Sequence, residues 1–145
     1  MNPSLMKNLG DIALPLFSVF PQSSAAATIN GASIDRVAHN LPLTCLLHTG
    51  IGAVSGAPSA VLVTTLLQHS PDNSTWTTFL YDGVHQAVAP GLSAASTDGS
   101  SSIDLTMAQR YIRAATTLSF TGGSSPTAIV ATDIVIGGEN MPPAI

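Results

Sequence analysis

The sequence predicts an all-β protein: an antiparallel β-sandwich, jelly-roll-like in its connectivity, preceded by an extended N-terminal arm. Three observations lead to this fold class. Seven or eight short segments alternate apolar with polar residues, or run through Val, Ile, Leu and Thr, as strands do. Clusters of Gly, Pro, Asn and Ser separate them, as in sandwich folds, where an immunoglobulin-like order is the alternative. No segment has a convincing helical pattern.

Residues 1–24 form the predicted arm. Its apolar run, Ile12–Phe20, resembles a secretory leader, but Pro15 interrupts the run and Pro21 closes it, so we expect an ordered, extended segment. An apolar arm must pack on something, either its own domain or a neighbouring subunit. We predict that the following side chains anchor it to a partner: Leu14, Leu16, Phe17, Val19 and Phe20.

Residues 25–145 are predicted to be a single sandwich domain. Its first two strands, up to Asn40, flank Asn30-Gly31, a dipeptide that favours a tight hairpin turn. A short apolar strand follows at Leu43–Thr49. Ala60–His69 is the longest apolar strand and suits the middle of a sheet.

The second half of the domain continues the pattern. Thr75–Tyr81 is predicted as an aromatic-rich strand, with another short strand near Gln86–Ala89 and a third at Ile103–Met107. The clearest pattern is Arg110–Thr121 followed by Thr127–Ile136, joined by a Gly-Gly-Ser-Ser-Pro turn. This pattern predicts a hairpin of two antiparallel strands.

The predicted core is built from the apolar positions of these strands, with Trp76 as its largest side chain. Its members are Leu62, Leu66, Trp76, Ile112, Leu118, Phe120, Ile134 and Ile136.

Charge is scarce: only 8% of the residues are charged, whereas 45% are hydrophobic. A surface with so little charge repulsion favours dense contact with other protein, although a secreted low-charge domain is the alternative. The net charge of −4 and four Lys and Arg residues leave no basic stripe, so nucleic-acid binding is not expected. Because no segment reaches about 20 uninterrupted apolar residues, no membrane span is expected either.

The chemistry-bearing residues are scattered along the chain. Cys45 is the single cysteine and lies in an apolar run, which predicts a buried structural thiol. None of the four histidines has a metal-ligand spacing, and the aspartates fall mostly at turns, where they cap the backbone. We therefore expect no enzyme activity, no catalytic residues, no cofactor and no metal site.

Two arginines on the best strand are the remaining candidates. Arg110 and Arg113 flank Tyr111 and are predicted to bind a carboxylate or a neighbouring subunit. The alternative is an ion pair with Asp104 or Asp133 at the sheet surface.

Three segments resemble a known group of proteins: 28–35 (Thr-Ile-Asn-Gly-Ala-Ser-Ile-Asp), 120–126 (Phe-Thr-Gly-Gly-Ser-Ser-Pro) and 134–143, with its Gly-Gly and prolines. Together they are similar to decoration or cement proteins of tailed bacteriophages. That resemblance implies a structural virion protein on the outer surface of an icosahedral capsid. Its partners would be the major capsid protein and copies of itself, often as a homotrimer, and its role would be to stabilise contacts between capsomers.

Two other functions are left open by the sequence. A tail or fibre component is the nearest structural alternative. Residues 67–76 and 110–113 also resemble discoidin-type domains, which would imply carbohydrate or lipid-headgroup binding. Such domains are commonly closed by disulfides and rich in loop aromatics, whereas this chain has one Cys and one Trp.

Overall fold

The computed structural model describes residues 13–138 and shows two antiparallel sheets packed face to face. The strands are β1 (Ala13–Ser24), β2 (Ala27–Asn30), β3 (Ile34–Asp35), β4 (Thr44–Ser55), β5 (Ala60–Ser70), β6 (Thr77–Thr78), β7 (Thr97–Asp104), β8 (Tyr111–Thr121) and β9 (Thr127–Gly137). Within the described residues, the one helical segment is a 3-10 turn, Val37–His39.

The strand order is that of a jelly roll. The first sheet has the order β1-β9-β4-β7 and the second β2-β8-β5-β6, with β3 beside β8. The chain changes sheet at every connection except β2–β3 and β5–β6, which winds two Greek keys around one core. The predicted fold class is confirmed, and β5 lies inside its sheet as the sequence indicated.

Strict alternation assigns one face of each long strand to the core. On β4, for example, Cys45, Leu47, Thr49 and Ile51 are buried and the residues between them are not. The buried apolar side chains form two clusters, one around Leu47 and Leu67 and one around Val63 and Val130. Their burial is the main stabilising contribution to the sandwich.

Four buried threonines lie between the two clusters. Thr49 and Thr132 are paired in the first sheet, and Thr65 and Thr116 are paired in the second. Their hydroxyl oxygens are joined in a closed ring: Thr49–Thr65 2.8 Å, Thr65–Thr116 3.0 Å, Thr116–Thr132 2.8 Å and Thr132–Thr49 3.1 Å. Each hydroxyl can donate once and accept once, so the ring satisfies four polar groups in a dry interior.

The predicted hairpin of β8 and β9 is wrong, although both strands exist. β8 pairs with β5 in the second sheet, and β9 pairs with β1 and β4 in the first. The 122–126 turn therefore carries the chain from one sheet to the other. Alternation specifies which face of a strand is buried but not which strand lies beside it, and these two strands face each other across the core.

The Asn30-Gly31 hairpin is also absent. β2 and β3 do not pair with each other, because both lie along β8. Gly31 is needed for a close approach instead: a Cβ atom there would lie 2.2 Å from the Ser18 side-chain oxygen.

Half of the predicted core is in place. Ile112, Leu118, Ile134 and Ile136 are buried, whereas the other four predicted members are only partly buried or exposed: Leu62, Leu66, Trp76 and Phe120. The run Ala60–His69 is apolar on both faces, so its sequence could not show that the odd positions point inward. The largest buried side chain is Phe79 rather than Trp76.

The second half of the predicted arm belongs to the first sheet. Ala13–Ser24 is the edge strand β1, paired with β9 along its length with two register shifts. Residues 13–24 therefore belong to the sandwich, although the sequence predicted that the sandwich begins at residue 25. Residues 1–12 lie outside the described residues.

Core placement makes a direct comparison of two aromatic substitutions possible. We expect Phe79→Ala to lower the free energy of unfolding by roughly 3–5 kcal/mol, because it empties a fully buried site. Trp76→Ala should cost less, on the order of 1–2 kcal/mol, because its ring is partly exposed and stacked on an arginine. Chemical denaturation measures both, and a larger loss for Trp76→Ala would contradict this assignment.

The hydroxyl ring predicts non-additive substitutions. Thr116→Val alone should cost about 1–3 kcal/mol of unfolding free energy, since two ring partners each lose a hydrogen bond in a buried site. Replacing all four threonines by valine should cost much less than the sum of the four single changes, because no unpaired hydroxyl remains. Strictly additive losses in denaturant titrations would show that the ring does not act as a unit.

Candidate functional site

The outer face of the first sheet carries an unexpected charged cluster. His48 lies between two aspartates on neighbouring strands, with Nδ1 2.7 Å from Asp133 and Nε2 2.9 Å from Asp98. The β-register pairs His48 on β4 directly with Asp133 on β9, whereas Asp98 on β7 lies opposite Gly50 and reaches His48 diagonally. The sequence does not reveal that His48 has acidic partners, because both aspartates are distant from it in the chain and no spacing rule connects them.

The two carboxylates determine the protonation of His48. Hydrogen bonds to Asp98 and then to Asp133 raise the pKa of the imidazole above its ordinary value, because they favour the charged ring. With both ring nitrogens engaged, the imidazole has no lone pair left for a metal ion. The arrangement is an ion-pair cluster that ties three strands together.

The remaining histidines differ in their surroundings. His85 contacts Asp82 in the same turn, at 2.6 Å, where the aspartate also accepts two backbone N–H groups. His69 lies against Phe79, with the ring centroids 5.0 Å apart and the ring planes tilted by 52°. Its pKa is lowered by burial and by the nearby positive charge of Arg36. Residues 13–138 contain no group of three or more His, Cys, Asp or Glu residues arranged to hold a metal ion.

Cys45 and Arg36 are buried structural groups. Burial raises the pKa of the Cys45 thiol to about 12, so the predicted inert, buried thiol is confirmed. Arg36 is buried and has no carboxylate partner in the part of the chain that the structure describes. Its two terminal amino groups donate to four backbone carbonyls, those of Pro42, Leu105, Ala108 and Gln109. It joins the β3–β4 and β7–β8 connections at one end of the sandwich. No sequence pattern predicts this role, because an arginine at a turn ordinarily faces solvent.

Turn aspartates behave as the sequence predicted. Asp35, Asp72, Asp82 and Asp104 each accept a hydrogen bond from a backbone N–H two residues ahead. The pKa of all four carboxyl groups is lowered. The largest effect comes from the Arg110 side chain for Asp35, the Thr75 backbone N–H for Asp72, the His85 backbone N–H for Asp82 and the Thr106 side chain for Asp104, and the N–H two residues ahead adds to each. They are turn-stabilising groups.

The two candidate arginines have different partners. Arg110 forms a two-pronged ion pair with Asp35, at 3.0 and 2.8 Å, and lies over the ring of Tyr111. The alternative pairing with Asp104 or Asp133 is therefore wrong: β8 lies next to β3 and in the sheet opposite Asp133. Arg113 makes no ion pair within residues 13–138 and instead stacks on Trp76, 4.3 Å from the ring centroid.

The predicted anchor residues separate into two groups on β1. Val19 is buried in the sandwich, so its side chain is not presented to a partner, whereas Leu16 is partly buried and packs against the same core. This corrects the sequence analysis for Val19: a register shift between Phe17 and Val19 turns its side chain inward.

The other anchor residues are exposed on the edge strand. Leu14 is exposed, and Phe17 and Phe20 are 49% and 61% exposed, with their ring centroids 5.8 Å apart. Two phenylalanines side by side in water form a surface typical of a contact with another protein. We take this aromatic pair as the candidate interaction site.

Among the described residues, no helix is long and apolar enough to cross a membrane.

The charged cluster makes a pH prediction. Because the folded-state pKa of His48 is raised above 6.5, its stabilisation is fully present below that pH and is lost as the pH rises through the folded-state pKa. The difference in melting temperature between wild type and His48→Gln should therefore be largest near pH 6 and shrink toward about pH 9.

Thermal unfolding monitored by circular dichroism measures this difference. His39→Gln is the control, because His39 has no hydrogen-bonded carboxylate within residues 13–138. A wild-type advantage that grows with pH would contradict the assignment.

Comparisons with known proteins identify a fold but no family. No family model and no curated protein sequence matches this chain. Among solved structures, the PBSX exported protein XepA has a TM-score of 0.56 at 13% identity, over 91% of this chain and 39% of that one. This chain thus spans well under half of that protein's length.

Two infectious bursal disease virus structures also align. The Gx strain structure has a TM-score of 0.47 at 15% identity, covering 90% of this chain and 33% of that one. The VP2 subviral particle has a TM-score of 0.44 at 13% identity, with the same coverages of 90% and 33%. TM-scores below 0.5 do not establish a common fold. The TM-score of 0.56 shows that this chain shares the fold of the aligned part of the XepA structure.

Proposed function

We propose that this chain is a structural protein of a virus particle: a decoration or cement protein on the outside of an icosahedral phage head. In this role it binds the major capsid protein, stabilises contacts between capsomers and acts as a homo-oligomer, with a trimer as the expected state. It is not an enzyme. The resemblance of residues 28–143 to phage decoration proteins supports the proposal, and jelly rolls are common among viral capsid domains. A fold alone does not define a function, so the surface must carry the proposal.

The single observation that carries it is the exposed aromatic pair on β1. Phe17 and Phe20 project from an edge strand in a chain with very few charges to oppose close contact. Pro15 and Pro21 lie on the same strand and lack an N–H, which protects the edge against unspecific strand pairing. The edge is therefore suited to side-chain contacts with a defined partner.

The expected anchoring energy is modest for each copy. Burying two phenylalanine side chains contributes roughly 1.5–3 kcal/mol each, before the cost of association is subtracted. Oligomers that bind repeated sites on a shell would add avidity to this weak contact. A decoration protein needs this combination, because each contact can form reversibly while the assembled layer is held firmly.

A tail or fibre component would use the same surface on another part of the particle. A carbohydrate-binding protein is the second alternative, and the partly exposed Trp76 is the observation in its favour. Glycan binding that depends on Trp76, without any binding to particles, would favour it over the virion role.

The aromatic pair provides the test. Particles lacking this chain are mixed with wild-type protein or with Phe17→Ser/Phe20→Ser, and bound copies are counted by gel densitometry and electron microscopy. We expect the double variant to remain folded and to lose at least tenfold in affinity, because two buried side chains are removed from the contact.

The matched control is Val84→Ser/Met107→Ser, which removes two exposed apolar side chains elsewhere on the surface. It should bind like wild type. Equal occupancy of shells by the phenylalanine variant would refute the role of β1, and density confined to tails would favour the tail alternative.

A further inference from the structure

The outer face of the second sheet carries a cation that no acidic group among the described residues neutralises. Within residues 13–138 the three arginines have different surroundings: Arg36 is buried among carbonyls, Arg110 is paired with Asp35, and Arg113 has no carboxylate partner. Arg113 alternates with the buried residues Ile112 and Ala114, so its side chain lies on the outer face of β8.

Two neighbours hold the Arg113 guanidinium in place. Its Nε donates a hydrogen bond to the Oε1 of Gln68 at 2.8 Å. Gln68 is the residue on β5 that pairs with Arg113. The guanidinium plane lies over Trp76, which immediately precedes β6, the strand on the other side of β5. The guanidinium is thus fixed on one edge and on one face before any ligand is bound.

The opposite edge of the guanidinium is left open. Neither terminal amino group of Arg113 makes a hydrogen bond within the described residues. Neither is buried, because the buried side-chain nitrogen without a hydrogen-bond partner among those residues is the Nε of Arg36. Two parallel N–H donors on a fixed plane match the two oxygens of a carboxylate. Partial desolvation lowers the pKa of Arg113, and no acidic neighbour offsets this, so an incoming anion would supply the missing charge.

The surroundings of Arg113 indicate a protein as the source of the carboxylate. Leu66 pairs with Ala115, two residues along β8 from Arg113, and lies opposite Val88, which is 41% exposed. These two aliphatic side chains border the arginine on the outer face. Arginine and tryptophan beside exposed aliphatic side chains are typical of the energetic centre of a protein–protein interface.

We propose that Arg113, Trp76 and Gln68 form a docking site for an aspartate or glutamate side chain of a partner protein, with Leu66 and Val88 as its apolar border. The site lies on the sheet opposite Phe17 and Phe20, so the sandwich has a contact surface on each side. It does not depend on the proposed virion role, because any acidic partner surface would satisfy the same geometry.

Trp76 is the only tryptophan, so its indole N–H signal in nuclear magnetic resonance spectra reports on the site directly. The full chain is titrated at constant ionic strength with the peptide acetyl-Ala-Asp-Leu-amide, with its Asn counterpart and with sodium acetate. We expect saturable shifts of the Trp76 indole and Arg113 Nε–H signals with the Asp peptide, none with the Asn peptide, and several-fold weaker binding of acetate, which lacks apolar contacts.

Variants separate the site from general charge effects. Arg113→Met should abolish the shifts, and Arg113→Lys should weaken binding several-fold, because an ammonium cannot bind both oxygens in the same plane. Gln68→Met leaves the charge of Arg113 in place but removes the hydrogen bond that orients its guanidinium, so it should weaken binding as well. The matched control is Arg110→Met, which removes an arginine already occupied by Asp35 and should bind like wild type.

Three results would overturn the proposal: equal shifts with the Asn peptide, binding retained in Arg113→Met, or acetate binding as tightly as the Asp peptide. Shifts produced by neutral methyl glucoside but not by the Asp peptide would identify a carbohydrate site instead. Loss of particle binding in the phenylalanine variant leaves these titrations unchanged, so the two proposals fail separately.

Discussion

The packing of the two inner faces against each other is the constraint on which the rest of this structure depends. Each long strand gives one face to the core, and the alternation continues from β4 to β9 across both sheets. The ring of four threonines crosses the middle of this interior and divides its apolar side chains into two clusters. Hydrophobic burial is not directional, whereas the ring is satisfied only when the four strands are aligned. We infer that the ring fixes the position of one sheet over the other.

Within residues 13–138, the three arginines and His48 serve distinct purposes. Arg36 closes one end of the sandwich by binding four carbonyls, and Arg110 fixes β3 beside β8 through Asp35. His48 ties three strands of the first sheet through its two aspartates. Arg113 differs because its charge is held rigidly and yet left open. This contrast, rather than the mere presence of an arginine, distinguishes a binding group from a structural one.

The two outer faces of the sandwich support an assembly role in different ways. The first presents an aromatic pair at its edge, beside a strand whose prolines limit unspecific pairing. The second presents an arginine and a tryptophan beside exposed aliphatic side chains. A protein with one contact surface on each side can join two neighbours. The cement role proposed above requires such bridging between units of a shell.

Local sequence patterns were sufficient to predict the fold class, the strands β5, β8 and β9, and the turn-capping role of the aspartates. Period-two alternation and Gly or Pro punctuation are local signals, so β5, β8 and β9 were placed along the chain, and Cys45 and the turn aspartates were interpreted correctly. Strand partners were decided by the tertiary structure alone. β8 and β9 were expected to pair and instead face each other, because alternation carries no information about neighbours.

The candidate sites also depend on pairing between distant parts of the chain. His48 meets aspartates 50 and 85 residues away, and Arg113 meets Gln68 across 45 residues. Trp76 and Leu62 were expected in the core, because aromatic and aliphatic residues are usually buried. Trp76 lies instead against that arginine, and Leu62 is exposed on the outer face, opposite Ser119. Only the register of β5 and β8 could decide this, since a strand with apolar residues on both faces does not show in its sequence which face meets the opposite sheet.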